Sequence, residues 1–325
     1  MELAQDGGLT GRVTQLEAVV PGGLVTPDAV DLMPNLFVIG ASKAGSSALH
    51  AYLKSHPDIC MSREKEPCFF IDQTELASAW PIMARQRCSH VWADYLGLWE
   101  GGETARYRGE GSVYYSQAPH RSGVPARIAA SCPDARIIYS VREPVGRAIA
   151  HYWQRFKEFQ ETLPIEQAMR ENAIYRDTSD YALQLRAYLE HFGPHQIKVV
   201  VAENLRDKRR ETMTEVIEWL GLPAYDYSAD QLTERHRSPA TSRTQRFPFV
   251  TQIRNSGMWA MARRQLPQAW VNRLRAVSTT TFDKAEVDVS GARAYLRHYL
   301  APRRAEFESL IGRRVDVWAR DDGAG

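Results

Sequence analysis

Three short stretches of this chain are almost unbroken apolar runs rich in β-branched residues: Leu36–Ile39, Arg136–Val141 and Ile197–Val201. Runs of that length without polar alternation read as strands buried on both faces. Longer stretches of helical character separate them, and another follows the last: the amphipathic run from Glu211 to Leu220, closed by Gly221-Leu222-Pro223. Strands alternating with helices predict an α/β fold, a single domain with a central parallel β-sheet flanked by helices. Ligands of such sheets bind at the carboxyl ends of the strands, so the residues directly after each run are where the chemistry is expected.

After the first run comes Gly40-Ala41-Ser42-Lys43-Ala44-Gly45-Ser46-Ser47, a glycine-bounded loop with one lysine and two hydroxyls that open a helix. Backbone N–H groups of such a loop point at one spot, the helix dipole adds partial positive charge and Lys43 adds a full one. The expected ligand carries phosphate or a similar oxyanion. In the nucleoside-triphosphatase pattern G-x-x-x-x-G-K-[ST] the lysine follows the second glycine, whereas here Gly45 is followed by Ser46. The arrangement G-x-x-K-x-G-[ST]-[ST]-x-L resembles instead the 5′-phosphosulfate loop of sulfotransferases that use 3′-phosphoadenosine 5′-phosphosulfate (PAPS) as donor.

Further segments extend the resemblance, in family order, from about residue 34 to 318. Arg63-Glu64-Lys65-Glu66-Pro67-Cys68-Phe69-Phe70 is similar to the K-E-x-x-F-F signature of heparan-sulfate-type and bacterial members, in which the glutamate is the catalytic base; the matching position is Glu66. The string from Val141-Arg142-Glu143-Pro144 to Ala150-His151-Tyr152 resembles the 3′-phosphate segment R-[DE]-P-x-x-R-x-x-S-x-Y. Arg142 matches. The serine position is Ala150, a departure that removes one hydroxyl donor and weakens donor binding by about 1–2 kcal/mol unless Ser140 or a backbone N–H replaces it. Gly109-Glu110-Gly111-Ser112-Val113-Tyr114-Tyr115 resembles an acceptor-side segment, which places Glu110, Ser112 and Tyr115 as substrate-binding residues. The lysine that heparan-type enzymes often carry at the Gly111 position is absent, which argues against a heavily anionic glycan acceptor. The E-[DN]-L turn at Glu203-Asn204-Leu205 and the closing helices around Leu296–Pro302 and Phe307–Trp318 match as packing elements.

The resemblance implies a P-loop-like sulfotransferase fold over residues 34–320, preceded by an N-terminal arm over residues 1–33 that is extended or partly disordered. It also implies a division of labour. Glu66 takes the acceptor proton. Lys43 neutralises charge on the bridging oxygen, and Ser42, Lys43, Ala44, Gly45, Ser46 and Ser47 hold the 5′-phosphate. Arg142 holds the 3′-phosphate, and Arg243, from the basic stretch Arg235-His236-Arg237…Arg243…Arg246, belongs to a polar loop that closes over the donor. The product is 3′-phosphoadenosine 5′-phosphate (PAP). No metal is called for, because the lysine and N–H dipoles supply the positive charge. His56 and His151 compete for the base role, as histidine serves in the cytosolic branch, but both read as structural. Trp80, Trp92, Tyr95 and Trp99 read first as core and second as a platform for a sugar or planar acceptor. Two other functions stand beside this one: a nucleotide-dependent kinase, which the absent Walker lysine disfavours, and a catalytically inactive PAPS-binding protein, which Ala150 and Gly111 motivate.

Composition narrows the setting. The 325 residues are 44% apolar and 25% charged, ordinary for one large α/β domain. Formal net charge is +2, so a whole-molecule field for nucleic acid is not expected. There is no apolar run long enough for a transmembrane segment and no signal-peptide pattern at the start. The 4 cysteines, Cys60, Cys68, Cys88 and Cys132, lack metal-ligand or disulfide spacing. These features lead to the expectation of a soluble, cytoplasmic protein, and the resemblance implies an enzyme acting on a hydroxyl of a small natural product, glycan or glycolipid. The sequence leaves its oligomeric state open.

Overall fold

The computed structural model describes residues 32–158, 160–233, 241–245 and 279–319. The N-terminal arm, apart from its last two residues, lies outside the described residues, as do Arg235, His236, Arg237 and Arg246.

The expected sheet is present. Strands β1 (Leu36–Gly40), β2 (Ile59–Met61), β3 (Tyr107–Gly111), β4 (Arg136–Val141) and β5 (Ile197–Val201) are hydrogen-bonded in the order β2-β3-β1-β4-β5, and every pairing is parallel. From β1 the chain runs out to the edge strand β2, returns to β3 beside β1, then crosses to the other side for β4 and β5. The loop after β1 therefore opens between neighbours belonging to opposite halves of the sheet, the place where α/β proteins bind ligands.

Residues alternate along β1. Phe37 and Ile39 join Ile137, Tyr139 and Val141 on one face, under Tyr181, Leu185 and Tyr188. Leu36 and Val38 join Ile138 and Val200 on the other, under Leu49, Leu53, Met213 and Val216. Helix α1 (Ser46–Lys54) follows β1, α2 (Val124–Ser131) precedes β4, α3 (Pro144–Lys157) follows β4, and α4 (Tyr181–Leu189) precedes β5. After β5 come α5 (Ala202–Asp207) and α6 (Arg209–Trp219). A third core holds α3 against the late helix α7 (Ser290–Leu310): Val145, Ile149 and Tyr152 pack with Ala292, Leu296 and Leu300. A separate antiparallel ribbon pairs β6 (Thr241–Gln245) with β7 (Thr279–Asp283), with Arg243 opposite Thr281. Among the described residues no helix is long and apolar enough to cross a membrane.

Strand β3 departs from the apolar-run rule, since Tyr-Arg-Gly-Glu-Gly carries a carboxylate and two glycines yet is buried at Gly109, Glu110 and Gly111. Close approach explains the glycines. A Cβ at Gly109 would run into the Met61 sulfur, and one at Gly111 would sit 3.2 Å from the His50 ring.

Candidate active site

The loop after β1 is pinned at both ends. Ala41 N–H donates to the Ser140 carbonyl of β4, and the Ser140 hydroxyl donates to the Ala44 carbonyl. The Ser140 hydroxyl proton is thus spent on the loop. Gly45 caps α1 in a left-handed conformation, φ 83°, with no side chain bonded to the helix start. Within the described backbone bonding, the N–H groups of Ser42, Lys43, Gly45, Ser46 and Ser47 find no carbonyl partner outside the regular elements. First-turn N–H groups have none inside a helix, so this is a concentrated set of donors for an anion. Lys43 stands within the loop at φ 70°, a region that non-glycine residues occupy at some cost and mainly at functional positions. Burial and the neighbouring Arg142 lower its pKa, while Glu158 works the other way.

Glu66 lies against the end of the adjacent strand β3. It too has a positive φ, 61°, and its N–H donates to the Gly111 carbonyl at 3.0 Å. One carboxylate oxygen pairs with Lys65 Nζ; the other accepts the Val113 N–H at 2.7 Å. Burial raises the Glu66 pKa against the opposing pull of Lys65 and the Val113 N–H. Val113 carries the geometry further. Its carbonyl would lie 2.9 Å from a Cβ at Gly40, where φ is 126° and β1 turns into the lysine loop. The residue that grips the carboxylate therefore also abuts the start of the anion loop, and any side chain at Gly40 would push the two apart.

The acceptor-side residues read from the sequence lie behind Glu66. Ser112 Oγ accepts the Cys68 N–H at 3.2 Å and Tyr115 Oη accepts the Phe70 N–H at 3.2 Å, so they fasten the turn that presents Glu66. Glu110 is wholly buried, with Tyr95 Oη donating to it at 2.9 Å, and burial pushes its pKa up to about 8. All three are closed off from solvent; strand pairing places this motif near Glu66 and turns these side chains into the core. Tyr114, next to Val113, packs against half-buried Trp80 with ring centroids 4.0 Å apart and the planes tilted by 42°, and the Arg121 guanidinium lies 5.4 Å from the Trp80 ring centre. Trp92, Tyr95 and Trp99 are core residues.

Arg142 directly follows β4, and its backbone is held by Tyr181, whose hydroxyl donates to the Arg142 carbonyl at 2.6 Å. The next residue, Glu143, caps α3 through the Val145 and Gly146 N–H groups at 2.8 and 2.6 Å, an interaction typically worth about 1 kcal/mol. Arg243 lies on β6, and its side chain is outside the described residues. Both histidines are structural: His56 Nδ1 accepts the Asp58 N–H at 3.1 Å, and buried His151 lies against Arg147, its pKa pushed well down by burial.

Sequence reasoning missed two features. His50, one helical turn after Ser46 on α1, abuts Gly111, has a buried Nε2 without a partner among the described residues, and is driven down to about 4 by burial and by Lys65. Its spacing from Ser46 was the available signal. The other is a cavity of about 260 Å³ beside Arg142, bounded by Glu143 and Gly146, by Glu203 and Arg206 of α5, and by Arg293 and Arg297 of α7. Nothing in the local sequence of α7 marks those arginines.

Comparison with known proteins bears on this arrangement. Residues 34–227 match the family model described as the Sulfotransferase family. Mouse heparan sulfate glucosamine 3-O-sulfotransferase 3A1 is 26% identical over 271 residues, 78% of this chain and 61% of the mouse protein. Human bifunctional heparan sulfate N-deacetylase/N-sulfotransferase 3 is 26% identical over 64% of this chain, corresponding to 24% of its own length. A solved sulfotransferase from Alicyclobacillus acidocaldarius shares the fold with a TM-score of 0.61 at 24% identity, covering 88% of this chain and 99% of that one. The chain spans less than two thirds of the mouse relative's length. With a family match over more than half its residues, the chain belongs to the sulfotransferase family.

Proposed function

We propose that this protein transfers a sulfuryl group from PAPS to a hydroxyl of a ring-bearing acceptor, a small natural product or a glycan. The observation that carries the reading is the coupling of Glu66 to the lysine loop through Val113 and Gly40. An acceptor oxygen attacks the donor sulfur in line as Glu66 takes the hydroxyl proton; a new S–O bond forms, and the old one breaks with its electrons left on the phosphate oxygen of PAP. Lys43 and the loop N–H groups receive that charge in a preorganised setting. A carboxylate raised by burial is a better base near neutral pH than an exposed one. The donor spans the strand ends from Lys43 to Arg142, as the resemblance implies. Ser112, Tyr115 and Glu110 position the Glu66 turn, and Trp80 with Tyr114 forms an aromatic wall next to it, suited to a sugar or planar ring.

The test is Glu66→Gln, assayed with labelled PAPS against hydroxylated acceptors alongside PAP binding by calorimetry. Turnover should vanish while PAP binding stays at the wild-type level. Retained turnover removes Glu66 from the base role.

A further inference from the structure

We infer that the arginine-lined cavity beside Arg142 takes the donor's 3′-phosphate, with Arg293 and Arg297 of α7 doing what a serine would do at the position Ala150 holds. This rests on the reading of PAPS as donor. The cavity holds about 260 Å³ and includes Arg142 in its wall, so it opens from the same strand end that the donor reaches. Orientation supports the assignment. A Cβ at Gly146 would sit 3.9 Å from Arg142 Nη2, which lays the guanidinium over Gly146, and Ala150 is one turn further along the same face of α3. The third core clamps α7 against the neighbouring stripe of α3. Arg293 and Arg297, themselves one turn apart, are thereby brought to the edge of that face, where they join the cavity wall.

Charge favours an anion there. Of the cavity's carboxylates, Glu143 accepts two N–H groups of α3, and Glu203 accepts the Glu143 N–H at 3.0 Å and the Trp318 indole N–H at 3.1 Å. Both are bound into the scaffold. Four guanidiniums share the wall with them, those of Arg142, Arg206, Arg293 and Arg297, so positive charge exceeds negative by two within the wall, and by one once Asp207, paired with Arg206 at 2.7 and 2.9 Å, is counted in. Planar guanidiniums bind phosphate through paired N–H donors, a stronger contact than the serine hydroxyl that the family pattern places at position 150. Arg293 is exposed and Arg297 half-buried, positions from which a side chain can reach a ligand without opening the core.

Calorimetric titration of the full chain with PAP and with ADP, which lacks the 3′-phosphate, tests this. Wild type should prefer PAP. The combined Arg293→Ala and Arg297→Ala variant should lose about 10–100-fold in PAP affinity with ADP affinity unchanged. The exposed Arg293→Gln change alone, which leaves every packed residue in place, should lose several-fold. If the double variant and Arg293→Gln keep the wild-type PAP-to-ADP ratio while Arg142→Ala abolishes it, the α7 arginines have no part in the site and the inference falls alone. If wild type itself does not distinguish PAP from ADP, the donor reading falls with it.

Discussion

The two ends of the proposed donor site are built in opposite ways. At the transfer end, the loop is tied to β4 by Ala41 and Ser140, and Glu66 is tied to Gly111 and Val113. Positions are set by backbone hydrogen bonds in a nearly closed environment. At the Arg142 end there is an open cavity lined by long guanidinium side chains from three separate elements. The first arrangement fixes geometry to the precision that chemistry requires. The second supplies charge, which tolerates movement and serves affinity more than rate. Changes at the transfer end should therefore appear in kcat, and changes at the other end in nucleotide affinity.

The sharpest way to break this comparison is Glu66→Gln, expected to lower kcat by about 10²–10⁴-fold with PAP affinity intact. A loss of affinity of similar size would show that the two ends are not separable. Next in size, Arg142→Ala should weaken PAP by about 10–100-fold, the range for a charged hydrogen bond, while kcat at saturating donor stays within a few-fold of wild type; a collapse of kcat would move Arg142 into the transfer end.

Glu110 gives a pH test. In the folded protein it holds its proton up to about pH 8, whereas an unfolded glutamate releases it near 4.5. Between those values the native state binds the extra proton, so stability falls as pH rises, by up to about 1.4 kcal/mol per pH unit from this group. Glu110→Gln should flatten that slope in urea unfolding at about pH 5.5 and 7.5, both inside the window; an unchanged slope would mean that Glu110 is ionised in the core. The smallest effect is a gain. Ala150→Ser should tighten PAP by about 2–10-fold, and less if the α7 arginines already fill the site. A change confined to kcat would contradict the assignment of this face to affinity.

The same contrast marks what the sequence could reveal. Strands β1, β4 and β5 were legible because each is an apolar run, and Lys43 and Arg142 follow the first two directly. Strand β3 was not legible as a strand, since a buried carboxyl bonded to Tyr95 and two glycines under Met61 and His50 replace the apolar pattern. Its motif did place Ser112 and Tyr115 beside Glu66, but a motif carries no side-chain direction, and both point into the core. The arginines of α7 were invisible for another reason: what makes them local to Arg142 is the packing of α7 on α3, a contact between segments distant in the chain.

Gly40 and Val113 give the molecule a single datum from which both the lysine loop and the carboxylate are measured. Trp80 and its contacts with Tyr114 and Arg121 lie outside that datum. A designer wishing to change the acceptor of the proposed reaction can rebuild the Trp80 side while leaving that junction as it stands.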